Sequence, residues 1–474
     1  MSRRTKIVAT LGPATDTSEM LLAIVRAGVD VVRLNFSHGD PEHHRQRVQR
    51  LREAAAKVGK DVGVLGDLQG PKIRIEKFRA GKITLEEGRE FTLDAELADD
   101  AGTPASVGIT YKDLPRDVKP GDLLVLGDGE ISLRVGNVQG ARVICKVENG
   151  GELSDHKGIN RHGGGLSAKA LTDKDLSDIR LAAELGVDYL AVSFPRDASD
   201  INRARELLRA TGSQAGIVAK IERAEAIHNL DDIIKASDAV MVARGDLAVE
   251  VGDAELPGIQ KHIIQRAREL HRVVITATQM MESMIASPVP TRAEVLDVAN
   301  AVMDGTDAVM LSAESATGKY PVKTVEAMAR VCEGAERQRV TRHTPPQVAQ
   351  RFERVDEAIA MTVMYMANHM AVKAIITLTE SGSTALWMSR ISSGIPIYAM
   401  TRHEGTRRRV TLYRGVYPIA FDVLHPNPDH VLRTAVDELV RRGLAARGDY
   451  VICTKGELSG VTGGTNSMKI LQVT

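Results

Sequence analysis

Lys220 and Glu222 close the segment Ile217-Val-Ala-Lys-Ile-Glu222, whose apolar, β-branched start predicts a strand. Successive side chains of a strand point to opposite faces. The ammonium and the carboxylate therefore share one face while Ala219 and Ile221 take the other. Such a pair can hold a hard cation and a phosphoryl group side by side. A second segment, Ala239-Val-Met-Val-Ala-Arg-Gly-Asp246, also runs from apolar to charged at its C-terminal end. Two acids and a lysine at neighbouring strand ends point to magnesium-assisted phosphate chemistry.

Further polar residues sit at comparable places. In Val31-Val-Arg-Leu-Asn-Phe-Ser-His38, Arg33, Asn35 and Ser37 fall on one face. Arginine matches a phosphate fork to fork, and Asn and Ser offer oxygens to a hard cation. In Gly66-Asp-Leu-Gln-Gly-Pro-Lys-Ile-Arg74 a strand ends at Asp67 and turns through Gly70-Pro71, and Lys72 and Arg74 project beyond it. Thr276 and Thr278 are expected to share a face after a seventh strand, with Ser312 and Glu314 doing likewise after an eighth. Hydroxyls there can relay a proton through water. Neither a Gly-x-x-x-x-Gly-Lys-Ser/Thr loop nor a Gly-x-Gly-x-x-Gly turn after a strand is present, so a nucleotide must be held another way. The His43-His44 pair reads as an exposed helix face. Arg407-Arg-Arg409 reads as a solvated charge run or an anion contact.

The elements that must carry these residues alternate. Strand-like runs at 6–11, 31–36, 62–67, 189–194, 217–221, 239–243, 273–277 and 308–311 are each followed by a helix-like stretch, directly or after an insertion. Eight such units predict a (β/α)₈ TIM barrel, whose sites lie at the C-terminal strand ends. Residues 73–167 break the pattern with Gly, Asp and turn dipeptides such as Pro120-Gly121, the marks of a small inserted β-barrel lid domain. The expected organisation is thus barrel (1–72), lid (73–167), barrel again (168–342) and a C-terminal α/β domain (343–474) after the linker His343-Thr-Pro-Pro-Gln.

Composition narrows the partners. At 474 residues, with 62 Lys plus Arg against 62 Asp plus Glu, the chain has no general basic or acidic surplus, which argues against nucleic acid and membrane. No apolar run is long enough to span a bilayer, and the first residues leave no room for a signal-peptide core. Three dispersed cysteines, Cys145, Cys332 and Cys453, predict a reducing, cytoplasmic setting.

Taken in order, Arg33-Leu-Asn-Phe-Ser-His-Gly39, Asp67 with Gly70-Pro71, Ala219-Lys-Ile-Glu222, Ala243-Arg-Gly-Asp246 and Thr278-Gln-Met-Met-Glu-Ser-Met284 resemble the signature segments of pyruvate kinase over essentially the whole chain. The resemblance implies transfer of the phosphoryl group of phosphoenolpyruvate to ADP, giving pyruvate and ATP. It implies that Glu222 and Asp246 ligate Mg²⁺, or Mn²⁺ in its place. Lys220 would stabilise the phosphoryl group in flight and Arg33 would contact the substrate phosphate. Ala243, Arg244, Gly245 and Asp246, through their backbone, would hold the substrate carboxylate with Thr278, which also lies near the path of the proton to the enolate. ADP would meet Asn35, Phe36, Ser37, His38, Arg74 and Lys157.

Many members of that family carry glutamate where Lys72 stands and bind K⁺ through equivalents of Asn35, Ser37, Asp67 and the carbonyl of Leu68. A tethered ammonium at Lys72 can fill that position, so catalysis is expected not to require K⁺. The family also implies a homotetramer and a phosphorylated sugar or nucleotide as allosteric effector. Its candidate seat is the hydroxyl-rich turn Thr379, Glu380, Ser381, Gly382, Ser383 and Thr384, with the glycine-rich loop 456–465 beside it. Two other readings compete: a magnesium enzyme using a pyruvate enolate for aldol chemistry, and a sensor that has lost catalysis. The first leaves Arg33, Arg74 and the lid without a joint role. The second is at odds with intact Lys220, Glu222, Asp246 and Thr278.

Overall fold

A computed structural model of the chain describes residues 3–338, 352–423, 428–456 and 464–474. The linker motif at 343–347 and most of the loop 456–465 lie outside the described residues. All eight expected barrel strands are present, as Lys6–Thr10, Val31–Asn35, Gly63–Asp67, Tyr189–Val192, Gly216–Ile221, Ala239–Ala243, Val273–Ala277 and Ala308–Leu311. They pair in parallel and close into a barrel. Strand alternation sorts the apolar residues into two layers. Val8, Leu65, Val218, Met241 and Ile275 belong to one buried cluster, while their neighbours Ile7, Val64, Ile217, Val240 and Val274 pack in another with the surrounding helices. A barrel strand is buried on both sides, which is why these segments read as continuous apolar runs.

The β-rich insertion leaves the barrel after the third strand. Gly70 makes the exit possible: its φ is +67° and an added Cβ would lie 2.7 Å from Cβ of Ser193, so no other residue fits without strain. The insertion holds a six-stranded sheet and a two-stranded one around its own buried cluster. It returns through Ile159–Arg161 and rests on the barrel mouth, where the amide of Gly163 donates to the carbonyl of Glu250 (2.9 Å) and Arg223 Nη1 to the carbonyl of Leu166 (3.3 Å).

The C-terminal part forms a five-stranded sheet in the order Val416–Ala420, Ile397–Thr401, Val372–Leu378, Tyr450–Gly456, Thr465–Gln472, parallel except for its last strand. It sits under the N-terminal ends of the barrel strands. The arginine run holds it there: Arg407 pairs with Asp61 (3.2 Å), Arg408 with Asp188 (2.9 Å), and Arg409 Nη2 donates to the carbonyl of Gln214 (2.9 Å). The run is an interdomain clamp rather than a solvated face, a pairing across 195 to 346 residues that local sequence does not display. His44 also departs from expectation. Its ring is buried, edge-on to Phe36 at 5.1 Å, while His43 is exposed, its amide donating to the N-cap carboxylate of Asp40 (2.9 Å) and its Nδ1 lying 2.8 Å from Oδ2 of the same residue.

The three cysteines are free and buried, and burial pushes each thiol up to about 12, so all are inert. Among the described residues no helix is long and apolar enough to cross a membrane.

Candidate active site

The strand Gly216–Ile221 delivers Lys220 into the barrel mouth, and Glu222 follows one residue past its end. Lys220 Nζ lies 2.9 Å from Oε1 of Glu222 and 3.4 Å from Oδ1 of Asp67. Arg33, from the second strand, places Nε 2.6 Å from Oδ2 of the same Asp67 and Nη1 3.2 Å from Oγ1 of Thr10. Two cations thus flank one aspartate at the floor of the mouth, and all four groups are at most about one-eighth exposed. The charges set each other. Burial works against the Lys220 ammonium, but Asp67 and Glu222 outweigh it and hold its pKa above the ordinary lysine range. Burial likewise opposes the Asp67 carboxylate, yet Lys220 and Arg33 keep it below the usual range. Glu222 moves upward: burial raises it, Lys220 opposes, and the nearby charge of Asp246 raises it further.

Asp246 stands in the first turn of the helix Arg244–Val251, where a carboxylate is favoured by the helix dipole. Its N-cap residue, Ala243, offers no side-chain acceptor. The amide of Gly245 instead donates to Oγ1 of Thr278 (2.9 Å). Thr278 and Gln279 both have positive φ, +67° and +53°, so the chain after the seventh strand is bent sharply across the mouth. Arg244 helps to hold this bend. Its Nη2 donates to the Thr278 carbonyl (2.6 Å), and Nη1 lies 2.7 and 2.8 Å from the two oxygens of Asp297. Thr276 and Thr278 do not act as a pair. The hydroxyl of Thr276, inside the strand, is spent on Thr306 (3.0 Å), and the left-handed backbone at 278 takes Thr278 out of the strand alternation. Glu314 turns its buried carboxylate onto the amides of Met281 (3.2 Å) and Ser312 (2.6 Å), an anchor for the same loop.

The remaining predicted residues spread along the mouth. Asn35 is half-buried and accepts from the amide of Ser37 (3.1 Å), and His38 is exposed. Phe36 buries its ring, donates its amide to the Asp67 carbonyl (3.0 Å) and accepts from Lys174 Nζ at its own carbonyl (2.7 Å). On the insertion, Arg74 Nη1 donates to the carbonyl of His156 (2.7 Å), and half-buried Lys157 follows that residue. Lys72 sends its ammonium to Asp246 Oδ1 (3.5 Å), whereas the ion pairs of Asp67 are with Arg33 and Lys220. Ala243 ends the sixth strand, fully buried.

Sequence reasoning passed over Ser193. It follows the fourth strand, accepts from Lys220 Nζ (2.7 Å) and donates to the carbonyl of Leu68 (2.8 Å), joining two of the predicted groups. The next amide, Phe194 N–H, donates to Glu222 Oε2 (2.8 Å). The signal was available: a hydroxyl at the C-terminal end of a barrel strand, in phase with inward-facing Ala191. Asp297 carried none, lying more than fifty residues from the arginine it anchors.

The turn 379–384, expected as an effector seat, lies in the C-terminal domain between Val372–Leu378 and the helix Ser383–Ser389. The amide of Gly382, with φ of +86°, donates to Thr379 Oγ1 (2.9 Å), and Ser381 Oγ donates to Ser383 Oγ (3.3 Å). Thr384 shares a hydrogen bond with Thr465 (2.6 Å), and Glu380 pairs with His403.

Fixed cations beside hard oxygen donors, at the ends of parallel strands and under a docked β module, are the equipment of phosphoryl transfer, where positioning and charge neutralisation supply the catalysis. The fold and the site define a phosphotransferase. Comparison with known proteins gives the family. A family model for "Pyruvate kinase, barrel domain" matches residues 2–325 and one for "Pyruvate kinase, alpha/beta domain" matches residues 357–471. The chain is 58% identical to pyruvate kinase II of Salmonella typhimurium, covering 99% of both chains, and 56% identical to pyruvate kinase of Haemophilus influenzae, covering 96% of both. A crystal structure of a pyruvate kinase from Cryptosporidium parvum superposes with a TM-score of 0.92 at 34% identity, covering 100% of this chain and 96% of that one. The chain belongs to the pyruvate kinase family, whose substrates and products are phosphoenolpyruvate, ADP, pyruvate and ATP.

The family implies a divalent metal. Among the described residues no group of three or more His, Cys, Asp and Glu gathers as a metal site. Glu222 and Asp246 nevertheless fit one: they are hard oxygen donors near enough for Asp246 to raise Glu222, a repulsion that a divalent cation relieves.

Proposed function

We propose that the mouth of the barrel carries out the pyruvate kinase reaction with Lys220, Arg33 and Thr278 as its catalytic groups and Glu222 and Asp246 as ligands of Mg²⁺, with Mn²⁺ able to substitute. The observation that carries this reading is the charge cluster of Lys220, Glu222, Asp67 and Arg33, joined by contacts of 2.6 to 3.4 Å. When bound, the metal neutralises charge on the transferring phosphoryl oxygens. Lys220 and Arg33 present fixed positive charge to the same oxygens, at no reorganisation cost because Asp67 and Ser193 already hold them. The first turn Arg244 to Asp246, whose Gly245 amide is held by Thr278 Oγ1 (2.9 Å), opens a helix N-terminus that favours the substrate carboxylate. Thr278, bent into the mouth, sits where the enolate carbon takes its proton through water. Asn35 to His38, Arg74 and Lys157 line the route for ADP between barrel and insertion, and closure of the insertion excludes water from the transfer.

The same reading assigns Lys72 the role of the monovalent cation, so that K⁺ is not needed. What supports it is an ammonium at the mouth, 3.5 Å from Oδ1 of Asp246. The turn 379–384, rich in hydroxyls, is proposed as the phosphate seat of a sugar or nucleotide effector. The protein is further read as a cytoplasmic homotetramer. A coupled assay following pyruvate formation from phosphoenolpyruvate and ADP, with Mg²⁺ varied and a panel of phosphorylated effectors, tests the reading. ATP-forming turnover is expected, and aldol products without ATP would replace it with the rival reading. An unchanged substrate curve across the panel removes the effector site alone.

A further inference from the structure

The seam between the barrel floor and the C-terminal sheet buries more cations than anions. Arg390 pairs with Asp307 (Nη1 to Oδ2, 2.9 Å), and Arg4 lies 3.6 Å from Glu336. Among the described residues Arg268 and Arg414 make no ion pair, although Asp307 acts on both and Glu336 on Arg414 at longer range. Arg268 Nη1 donates to the carbonyl of Gly305 (2.9 Å), and its Nη2 donates to the carbonyl of Arg390 (2.8 Å) and to Ser392 Oγ (3.3 Å). Arg414 Nη1 donates to the carbonyls of Val302 (3.2 Å) and Thr306 (3.4 Å). Its Nη2 is buried without a hydrogen-bond partner among the described residues, in a residue only 7% exposed.

Arg4, Arg268 and Arg414 line one cavity of about 20 Å³ together with Ser389, Ser392 and Ser393. A buried guanidinium without an ion pair, and above all an N–H without an acceptor such as Arg414 Nη2, costs desolvation that carbonyl contacts repay only in part. The effect on these two groups is visible. Arg268 is held down at about 10 by burial and then by the charges of Arg414 and Arg390, and burial lowers Arg414 as well. Neutral water in the cavity supplies an acceptor but no charge. A volume of this size takes one water-sized particle, not a phosphate ester.

We propose that this cavity binds a small inorganic anion of the size and charge of chloride, which bridges Arg268 of the barrel to Arg414 of the C-terminal domain and makes their docking anion-dependent. The site lies on the N-terminal side of the barrel strands, beside Asp307 at the start of the eighth, and is therefore separate from the catalytic mouth.

Thermal unfolding of the full chain in potassium chloride and in potassium gluconate at equal ionic strength tests this, paired with a bromide-soaked crystal read by anomalous scattering. Chloride is expected to raise Tm saturably, by about 3 °C, and bromide to peak between the two guanidinium groups. Arg268→Gln is expected to abolish the chloride effect. Equal Tm in the two salts, a chloride effect that survives in Arg268→Gln, or a bromide peak with no Tm shift, meaning an adventitious ion only, each overturns the proposal. Should the variant fail to fold, the wild-type salt pair and the bromide map decide it.

Discussion

The ammonium of Lys72 lies 3.5 Å from Oδ1 of Asp246, so a residue at the root of the β insertion touches a proposed metal ligand on the barrel. Both side chains are about one-quarter to one-third exposed, which keeps the attraction modest while leaving the lysine free to swing within the mouth.

Two effects follow for monovalent and divalent cations. Titrating KCl into a tetraalkylammonium buffer is expected to change the steady-state rate by less than about twofold, because a tethered charge already occupies the region. Lys72→Met is expected to lower the Mg²⁺ concentration needed for half-maximal rate, since Asp246 loses a competing cation, and to lower kcat. Strong activation of the wild type by KCl would sink the assignment of Lys72.

Lys220→Met removes the cation at the centre of the cluster. Transition-state stabilisation is expected to fall by about 3 kcal/mol or more, at least about a hundredfold in kcat with KM for phosphoenolpyruvate changed far less. Turnover within tenfold of wild type, measured by the coupled assay, refutes the role.

Ser193→Ala tests the positioning of that lysine. The hydroxyl ties Lys220 Nζ to the Leu68 carbonyl, and its loss frees the ammonium without creating a large void. A drop of about tenfold in kcat with Tm nearly unchanged is expected. A fall in Tm with kcat preserved would mean the serine serves the fold alone.

Glu250 predicts a pH dependence of stability. Burial raises its carboxyl from 4.5 to about 7, against the pull of the Ala224 amide that it accepts at 2.8 Å and with a further push from Glu225. Between those values the folded state keeps a proton that the unfolded chain has lost, so stability is greatest below the lower value and declines as pH rises through the upper one. Glu250→Gln keeps the acceptor and removes the titration. Denaturant unfolding from pH 4.5 to 8 is expected to show a slope in the wild type, on the order of 2 kcal/mol across the window, that is absent in the variant.

The barrel was legible in the chain because a strand buried on both faces must be an apolar run. Eight such strands, each with a polar residue at its C-terminal end or immediately after it, leave few other architectures. The faces of Lys220 with Glu222 and of Arg33 with Asn35 followed from strand alternation alone, since period two is a local property. Where the backbone leaves that period the inference stops. Thr278 has positive φ, and its separation from Thr276 follows from that single residue.

The amino-acid sequence by itself determined the order of elements, the insertion after the third strand and the types of group available at each strand end. Tertiary structure alone decided the partners: Asp67 between Arg33 and Lys220, Ser193 beneath the lysine, Asp297 behind Arg244, and the arginines 407 to 409 clamped on the barrel floor. The reason is physical. Which face a side chain takes depends on its immediate neighbours along the chain. Which charge it meets depends on barrel closure and domain docking, and these bring together residues tens to hundreds of positions apart.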